Sequence, residues 1–183
     1  MEDEMSEQAP KSRKPRADQL RNRARLLEAA REVFRGEGGN LEAVARKAGL
    51  GIGTLYRNFP TREALFQAVY AHEVETLEQR AQVDGLEDWM REALQMMATK
   101  RGMVAALAPV IDPESSFISD QSLRMRGAVA QLHARAVADG TVRPDVTPDD
   151  LMRVLLAINY GPGADPARSS VLLDVFLAGL RSA

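Results

Sequence analysis

The chain of 183 residues contains no cysteine, few aromatic residues and two histidines. The lack of cysteine excludes disulfides and thiolate chemistry, and it fits a reducing compartment. No apolar run approaches the roughly 20 residues that a membrane-spanning helix needs. The acidic N-terminus, MEDE, lacks the apolar segment of a signal peptide. We therefore expect a cytoplasmic protein with no membrane partner and with a chain long enough to bury a core.

Candidate catalytic and metal-binding groups are equally scarce. His72 is followed by Glu73, but a second histidine at the spacing of a zinc-binding helix is missing. We expect His72 and His133 to be surface or partly packed residues. Residues 49–53, GLGIG, follow a helical pattern and lack both the full glycine spacing and the lysine of a nucleotide-binding loop. The sequence predicts no enzyme, no cofactor and no metal site.

The charge is unevenly distributed, although the net charge is only −2. Residues 11–62 hold thirteen Lys and Arg against five Asp and Glu, whereas residues 1–10 and 63–183 are both acidic. A basic block is the electrostatic footprint of nucleic-acid binding, but a solvated helix face can carry the same charge. The block coincides with the motif described below, and this coincidence favours DNA binding.

Apolar residues recur at helical spacing and no segment alternates like a strand. We predict an all-α fold of about nine helices, in which residues 86–97 and the apolar segment 102–111 are counted separately. Asn40, Thr61 and Thr147 are predicted N-caps. Residues 1–17 are predicted to be a disordered tail. Residues 18–62 and 63–183 are predicted to be the two domains, joined by a long shared helix.

Residues 38–63 carry the clearest functional signal. A short helix runs into Gly49, which permits the positive φ that ends a helix sharply. A second short helix follows, with Leu55 and Phe59 on one face and polar residues off it. This pattern is typical of a helix-turn-helix, whose second helix lies in the DNA major groove.

The sequence GIGTLYRNFPTREAL at residues 51–65, after VAxxAG at residues 44–49, resembles the TetR family of bacterial transcriptional regulators. The resemblance covers about residues 20–70, and the remainder matches that family in length and helical character. It implies an all-helical homodimer that binds operator DNA through its N-terminal domain. It also implies a C-terminal domain whose small ligand usually releases the DNA, which makes a repressor the favoured function.

Two other functions stay open at this point. One is an activator or architectural DNA-binding protein without a ligand. The other is a ligand-binding helical bundle that has lost its affinity for DNA, which is supported by residues 51 and 52, where the family often has a polar pair.

The recognition helix is predicted at residues 52–58. By resemblance, Thr54 and Tyr56 contact phosphates or base edges, Arg57 binds a guanine or a phosphate, and Arg62 binds a phosphate. Ile52 either contacts a thymine methyl group or packs into the protein. For Tyr56, the alternative to a DNA contact is partial packing against the first helix. The basic residues of the tail, Lys11, Arg13, Lys14 and Arg16, either contact DNA or form a solubilising segment without fixed contacts. The predicted DNA-binding residues are Arg21, Asn40, Gly51, Ile52, Thr54, Tyr56, Arg57, Asn58 and Arg62.

The C-terminal part is rich in methionine, which usually fills a core but also forms adaptable apolar pockets. We predict a small, mainly apolar ligand, with candidate lining residues Trp89, Met97, Met103, Phe117, Met125 and Met152. The resemblance implies that the last two helices pair with their symmetry mates, and the alternative is that they only close the monomer core. The predicted interface residues are Leu151, Val154, Leu155, Ile158, Leu172, Val175, Phe176 and Leu180.

Overall fold

The computed structural model describes residues 13–35, 40–107 and 114–181, and the regular structure in these ranges is entirely helical. The helices are α1 Arg13–Arg35, α2 Leu41–Lys47, α3 Ile52–Asn58, α4 Arg62–Ala81, α5 Leu86–Leu107, α6 Ser116–Ala138, α7 Pro148–Tyr160 and α8 Pro166–Leu180. The all-α class is confirmed. These eight helices are close to the predicted nine, and the difference arises because residues 86–107 form one continuous helix. None of the described helices is long and apolar enough to cross a membrane.

Helix α1 begins earlier than the sequence indicated. The sequence pattern predicts that residues 13–17 belong to the disordered tail, but they are the first residues of α1. Residues 1–12 lie outside the described part of the chain. Pro15 does not prevent this start, because the first backbone N–H groups of a helix have no acceptor within the helix. Residues 13–17 are mostly charged and show no apolar periodicity, so the sequence pattern does not predict this extra turn of helix.

The three predicted N-caps, Asn40, Thr61 and Thr147, are confirmed. The side chain of Asn40 accepts a hydrogen bond from the backbone N–H of Ala43 at 2.8 Å. Thr61 caps α4 in the same way. Thr147 and Asp150 form a reciprocal capping box at the start of α7. Each cap satisfies a backbone donor that would otherwise have no partner in the helix.

The turn between α2 and α3 depends on Gly49, which has a φ of +63°. Arg25 of α1 donates a hydrogen bond to the carbonyl oxygen of Ala48 at 2.6 Å. Its guanidinium therefore lies beside the turn, 2.8 Å from the position that a Cβ on Gly49 would take. Leu55 and Phe59, each 1% exposed, anchor the far side of α3 in the core. The turn and these two anchors fix the direction of α3.

Helix α1 also packs directly against α5. The carbonyl oxygen of Phe34 lies 1.7 Å from the position that a Cβ on Gly102 would take. A glycine is therefore required for this approach, and the two helices meet backbone to backbone. The buried apolar residues of the described helices form one core cluster that extends from α1 to α8. The helix-turn-helix is thus packed onto the rest of the molecule.

We expect Gly49→Ala to lower the free energy of unfolding by about 1–2 kcal/mol or more. A side chain in the left-handed region costs about that amount, and the new methyl group would also displace Arg25. Urea denaturation followed by circular dichroism measures the change. Gly53→Ala is the matched control, because Gly53 lies in α3 with no atom within 4 Å of its Cβ position. The control should be neutral or stabilising by up to ~1 kcal/mol, and equal losses in both variants would contradict this account.

Candidate nucleic-acid interface and internal cavity

One face of α3 is exposed although it carries large side chains. Ile52 is 38% exposed and Tyr56 is 44% exposed. Arg57 is exposed beside them. Ile52 is therefore not buried in the core, and the exposure of Tyr56 is compatible with partial packing against α1 as well as with a contact outside the protein. Apolar and cationic side chains presented together on one helix face indicate a contact surface.

The polar residues of α3 are linked to one another. Arg57 donates from Nη2 to the hydroxyl of Thr54 at 2.9 Å. Asn58 donates from Nδ2 to the backbone carbonyl of Thr54 at 2.8 Å, and Asn58's own backbone carbonyl accepts from Arg23 at 3.3 Å. Thr54 therefore orients Arg57, whereas Asn58 closes α3 and holds it to α1. The DNA contact predicted for Asn58 stays a prediction, but its amide nitrogen already has a structural bond.

The remaining predicted DNA-binding residues lie at exposed helix ends and on α1. Asn40, Gly51 and Arg62 are exposed at the N-terminal ends of α2, α3 and α4. Gly51 provides no side-chain cap, as expected from its departure from the family pattern. Arg21 is exposed and forms an ion pair with Asp18 one turn earlier in α1.

Part of the basic block is engaged in contacts within the chain. The guanidinium of Arg23 lies 4.5 Å from the ring centroid of Phe59. Arg25 binds the end of α2, and Lys47 pairs with Glu32 at 2.5 Å. The charge count from the sequence therefore overstates the number of cations available to DNA. Arg57 and Arg62 are the exposed cations next to the recognition face.

A buried charge network joins α1 to α4 and α5. Arg31 of α1 donates two hydrogen bonds to Glu73 of α4, whose side chain is 2% exposed. Its Nη2 also lies 3.4 Å from a carboxylate oxygen of Glu92 on α5, and Arg80 lies 3.1 Å from the other oxygen. Because Glu73 is almost completely buried, its charge depends on Arg31 for compensation.

A cavity of about 320 Å³ lies between α4, α5, α6 and α7. This volume falls within the range of small-molecule sites. Its apolar and aromatic lining consists of Tyr70, Met96, Met97, Met125, Met152, Leu156 and Tyr160. Its polar lining consists of Lys100, Ser122, Arg126, Asp149 and Arg153.

Three of the six predicted ligand-binding residues line this cavity: Met97, Met125 and Met152. The other three do not. Trp89 and Met103 are completely buried, and the indole N–H of Trp89 donates to the carbonyl of Leu77 at 2.8 Å. Phe117 is half-buried and packs edge-on against Tyr70 with 6.2 Å between ring centroids, but it is not one of the lining residues. Helical spacing does not separate core methionines from cavity methionines, since both face inward.

The sequence analysis missed the charged lining. Lys100 stands on α5 at helical spacing from Met96, Met97 and Met103, and a lysine within a methionine stripe was the available signal. The two histidines have packing roles, as expected. His133 donates to the carbonyl of Val146 at 2.7 Å, and His72 is half-buried. No group of three or more metal-ligating side chains was found in the described ranges.

The predicted interface residues fall into three groups. Leu151, Leu155 and Leu180 are buried in the monomer core, at most 3% exposed. Their assignment to a surface is therefore corrected, because α7 and α8 use these residues to pack on the other helices. Val154, Ile158 and Phe176 are half-buried. Leu172 and Val175 are 48% and 69% exposed.

These features define a helix-turn-helix regulator, in which an exposed recognition helix is packed onto a helical bundle that contains a cavity. Residues 26–69 match the model of the bacterial regulatory proteins of the tetR family. Residues 64–182 match the C-terminal domain of SbtR-like transcriptional regulators. The chain therefore belongs to the TetR family of transcriptional regulators, as the sequence predicted.

Individual relatives agree over nearly the whole chain. The regulator UidR of Escherichia coli K12 is 27% identical over 175 residues, which cover 87% of this chain and 89% of UidR. The crystal structure of a TetR regulator from Streptomyces coelicolor is 35% identical with a TM-score of 0.72, covering 88% of this chain and 99% of that one. One from Mycobacterium vanbaalenii is 32% identical with a TM-score of 0.71, covering 92% and 99%. These similarities indicate a DNA-binding regulator that is not an enzyme.

We expect Arg31→Met to cost about 3–5 kcal/mol, because it leaves the carboxylate of Glu73 buried and unpaired. The double variant Arg31→Met with Glu73→Leu should recover most of this loss. Chemical denaturation of both variants measures the effect. Lys47→Met is the surface control, because Lys47 and its partner Glu32 are half exposed and solvent-exposed ion pairs contribute little to stability. A double variant as unstable as the single one would show that the buried charge is not the cause.

Proposed function

We propose that this chain is a homodimeric repressor whose operator DNA is released when a small molecule binds in the cavity between α4 and α7. The observation that carries this proposal is the position of α4. Its N-terminal end follows the recognition helix after a three-residue connection, and its Tyr70 lines the cavity. One rigid helix thus connects the two sites.

The proposed DNA contacts follow from the exposed face of α3. Ile52 is free to contact a thymine methyl group, and Arg57, held by Thr54, is oriented toward a guanine or a phosphate. Tyr56 and Arg62 bind the backbone on either side. One helix of seven residues reads few base pairs, so useful specificity requires two copies of the chain on two half-sites.

The proposed dimer forms through α7 and α8. Val171, Leu172 and Val175 are 43%, 48% and 69% exposed along one side of α8. Half-buried Ile158 of α7 and Phe176 of α8 carry apolar surface as well. An apolar stripe of this kind is unfavourable in water, and pairing with a second copy would bury it.

The proposed release mechanism is a shift between two conformations. The ligand favours a position of α4 that separates the two recognition helices, and the operator favours the other position. Because the half-site spacing is fixed, a displacement of a few ångströms breaks simultaneous contact with a major groove ~12 Å wide. Binding free energies are reciprocal, so the operator weakens ligand binding by the factor by which the ligand weakens operator binding.

Operator recognition is tested by selecting bound duplexes from a random pool and then titrating variants. We expect a palindrome with half-site centres ~34–36 Å apart or a multiple of this spacing. Arg57→Ala should cost about 1–3 kcal/mol if Arg57 reads a guanine, whereas Arg62→Ala should weaken all sequences alike and reduce the salt slope by about one. Arg143→Ala, an exposed change in the connection between α6 and α7, is the control. Binding that is indifferent to both changes would refute this interface.

We expect Val175→Asp to convert the dimer into a folded monomer with weakened operator binding, because the carboxylate would be buried without a partner in the interface. Analytical ultracentrifugation and circular dichroism measure the association and the fold. Val83→Asp is the matched control, since Val83 is 81% exposed and lies between α4 and α5. A Val175→Asp dimer of normal affinity would exclude this side of α8 from the interface.

A further inference from the structure

We infer that the cavity binds a compact amphipathic organic anion, whose acidic group pairs with Lys100 and whose apolar body lies against the surrounding methionines. The inference rests on the proposed function, because it gives the chemical class of the effector for the same cavity. The small, mainly apolar ligand expected from the sequence explains the methionines. It does not explain the charges that the structure places among them.

Lys100 is a cation in a partly desolvated place. Its Nζ lies 4.7 Å from the ring centroid of Tyr70 and donates a long hydrogen bond, 3.4 Å, to the Tyr70 hydroxyl. Burial lowers the pKa of Lys100, and no carboxylate of the described residues offsets this effect. Desolvating a cation without pairing it to a counter-ion costs free energy. An anionic ligand would remove that cost.

The other charged lining residues favour the same sign of ligand. Arg126 of α6 and Arg153 of α7 line the cavity from exposed positions, and Asp149 is the single lining carboxylate. Arg153 also pairs with Asp150 at 3.4 Å, so its charge is partly compensated. The lining therefore has three cations and one anion, and it attracts an anion toward Lys100 while it disfavours a cation.

The apolar half of the site limits the size and shape of the ligand. Met96, Met97 and Met125 are at most 5% exposed beside Lys100. Their unbranched, flexible side chains adapt to ligands of different shape. The volume of about 320 Å³ is near the lower end of the range for small-molecule sites. We therefore expect a compact apolar body that carries one acidic group.

The same contacts give the ligand a way to act on α4. An anion that attracts Lys100 competes with the contact of Lys100 to Tyr70. Tyr70 stacks on Phe66 one turn earlier, with 5.7 Å between the ring centroids. Phe66 lies in the first turns of α4, close to the start of that helix at Arg62. Anion binding therefore changes the packing of the helix that follows the recognition helix.

Two fluorescent probes with the same aromatic body test the inference. 8-Anilinonaphthalene-1-sulfonate carries a sulfonate, and N-phenyl-1-naphthylamine is its neutral counterpart. Titration of the full chain should show that the sulfonate binds about tenfold more tightly or better, as expected for a charge-assisted contact. Lys100→Met should abolish this preference and leave the affinity of the neutral probe within about twofold. Lys100→Arg, which keeps the charge, should retain the preference.

Lys47→Met is the matched control, because Lys47 is an exposed lysine on α2 far from the cavity lining. Circular dichroism checks the fold, and Lys100→Gln replaces Lys100→Met if the latter does not fold. Equal affinity of wild type for the two probes would overturn the inference. A preference that survives the loss of Lys100 would do the same, and so would the failure of both probes to bind.

The titration contains no DNA, so its failure leaves the proposed operator binding untouched. A second arm adds the selected operator duplex. A sulfonate that binds through Lys100 and weakens operator binding supports both the inference and the release mechanism. A sulfonate that binds through Lys100 without any change in operator affinity supports the anion site and contradicts the release mechanism alone.

Discussion

The close packing of α1 against α5 is the constraint on which the rest of the molecule depends. The backbone of Phe34 meets Gly102 without space for a side chain. One turn earlier, Arg31 compensates the buried Glu73 of α4. The same helix holds the turn before α3 through Arg25. These contacts hold the recognition helix in a defined orientation on the bundle, which the proposed dimer requires in order to match two half-sites.

This arrangement leaves α4 as the element that both sites share. Its first turn follows the recognition helix, and its Tyr70 lines the cavity next to Lys100. The charges differ between the two surfaces: exposed arginines flank α3, and a partly buried lysine lies among methionines in the bundle. Such a distribution suits the proposed function, in which the protein binds DNA, a polyanion, at α3 and releases it when a small anion binds beside Lys100. In the proposed mechanism, the coupling is a competition between two positions of α4.

The local features of the fold were predictable because their physical causes lie within a few residues. Asn40 and Thr61 bond to backbone groups three residues away, and Gly49 adopts a conformation that other residues avoid. The interface residues were less predictable. Leu155 and Val175 both lie on apolar helix faces, yet one is fully buried and the other is 69% exposed. Periodicity gives the direction of a side chain around its own helix, but not which neighbour, if any, lies there.

The sequence by itself determined the all-α class, because apolar residues recur at helical spacing along the chain. It also determined the helix-turn-helix and the position of its recognition helix, because a short motif with fixed spacing carries both. The tertiary structure decided which inward-facing residues fill the core and which line a cavity, as Met103 and Met97 show. It also decided that Lys100 lines that cavity, on the same side of α5 as Met97. The reason is that a cavity is a property of four helices packed together, and its walls come from residues up to about ninety positions apart in the chain.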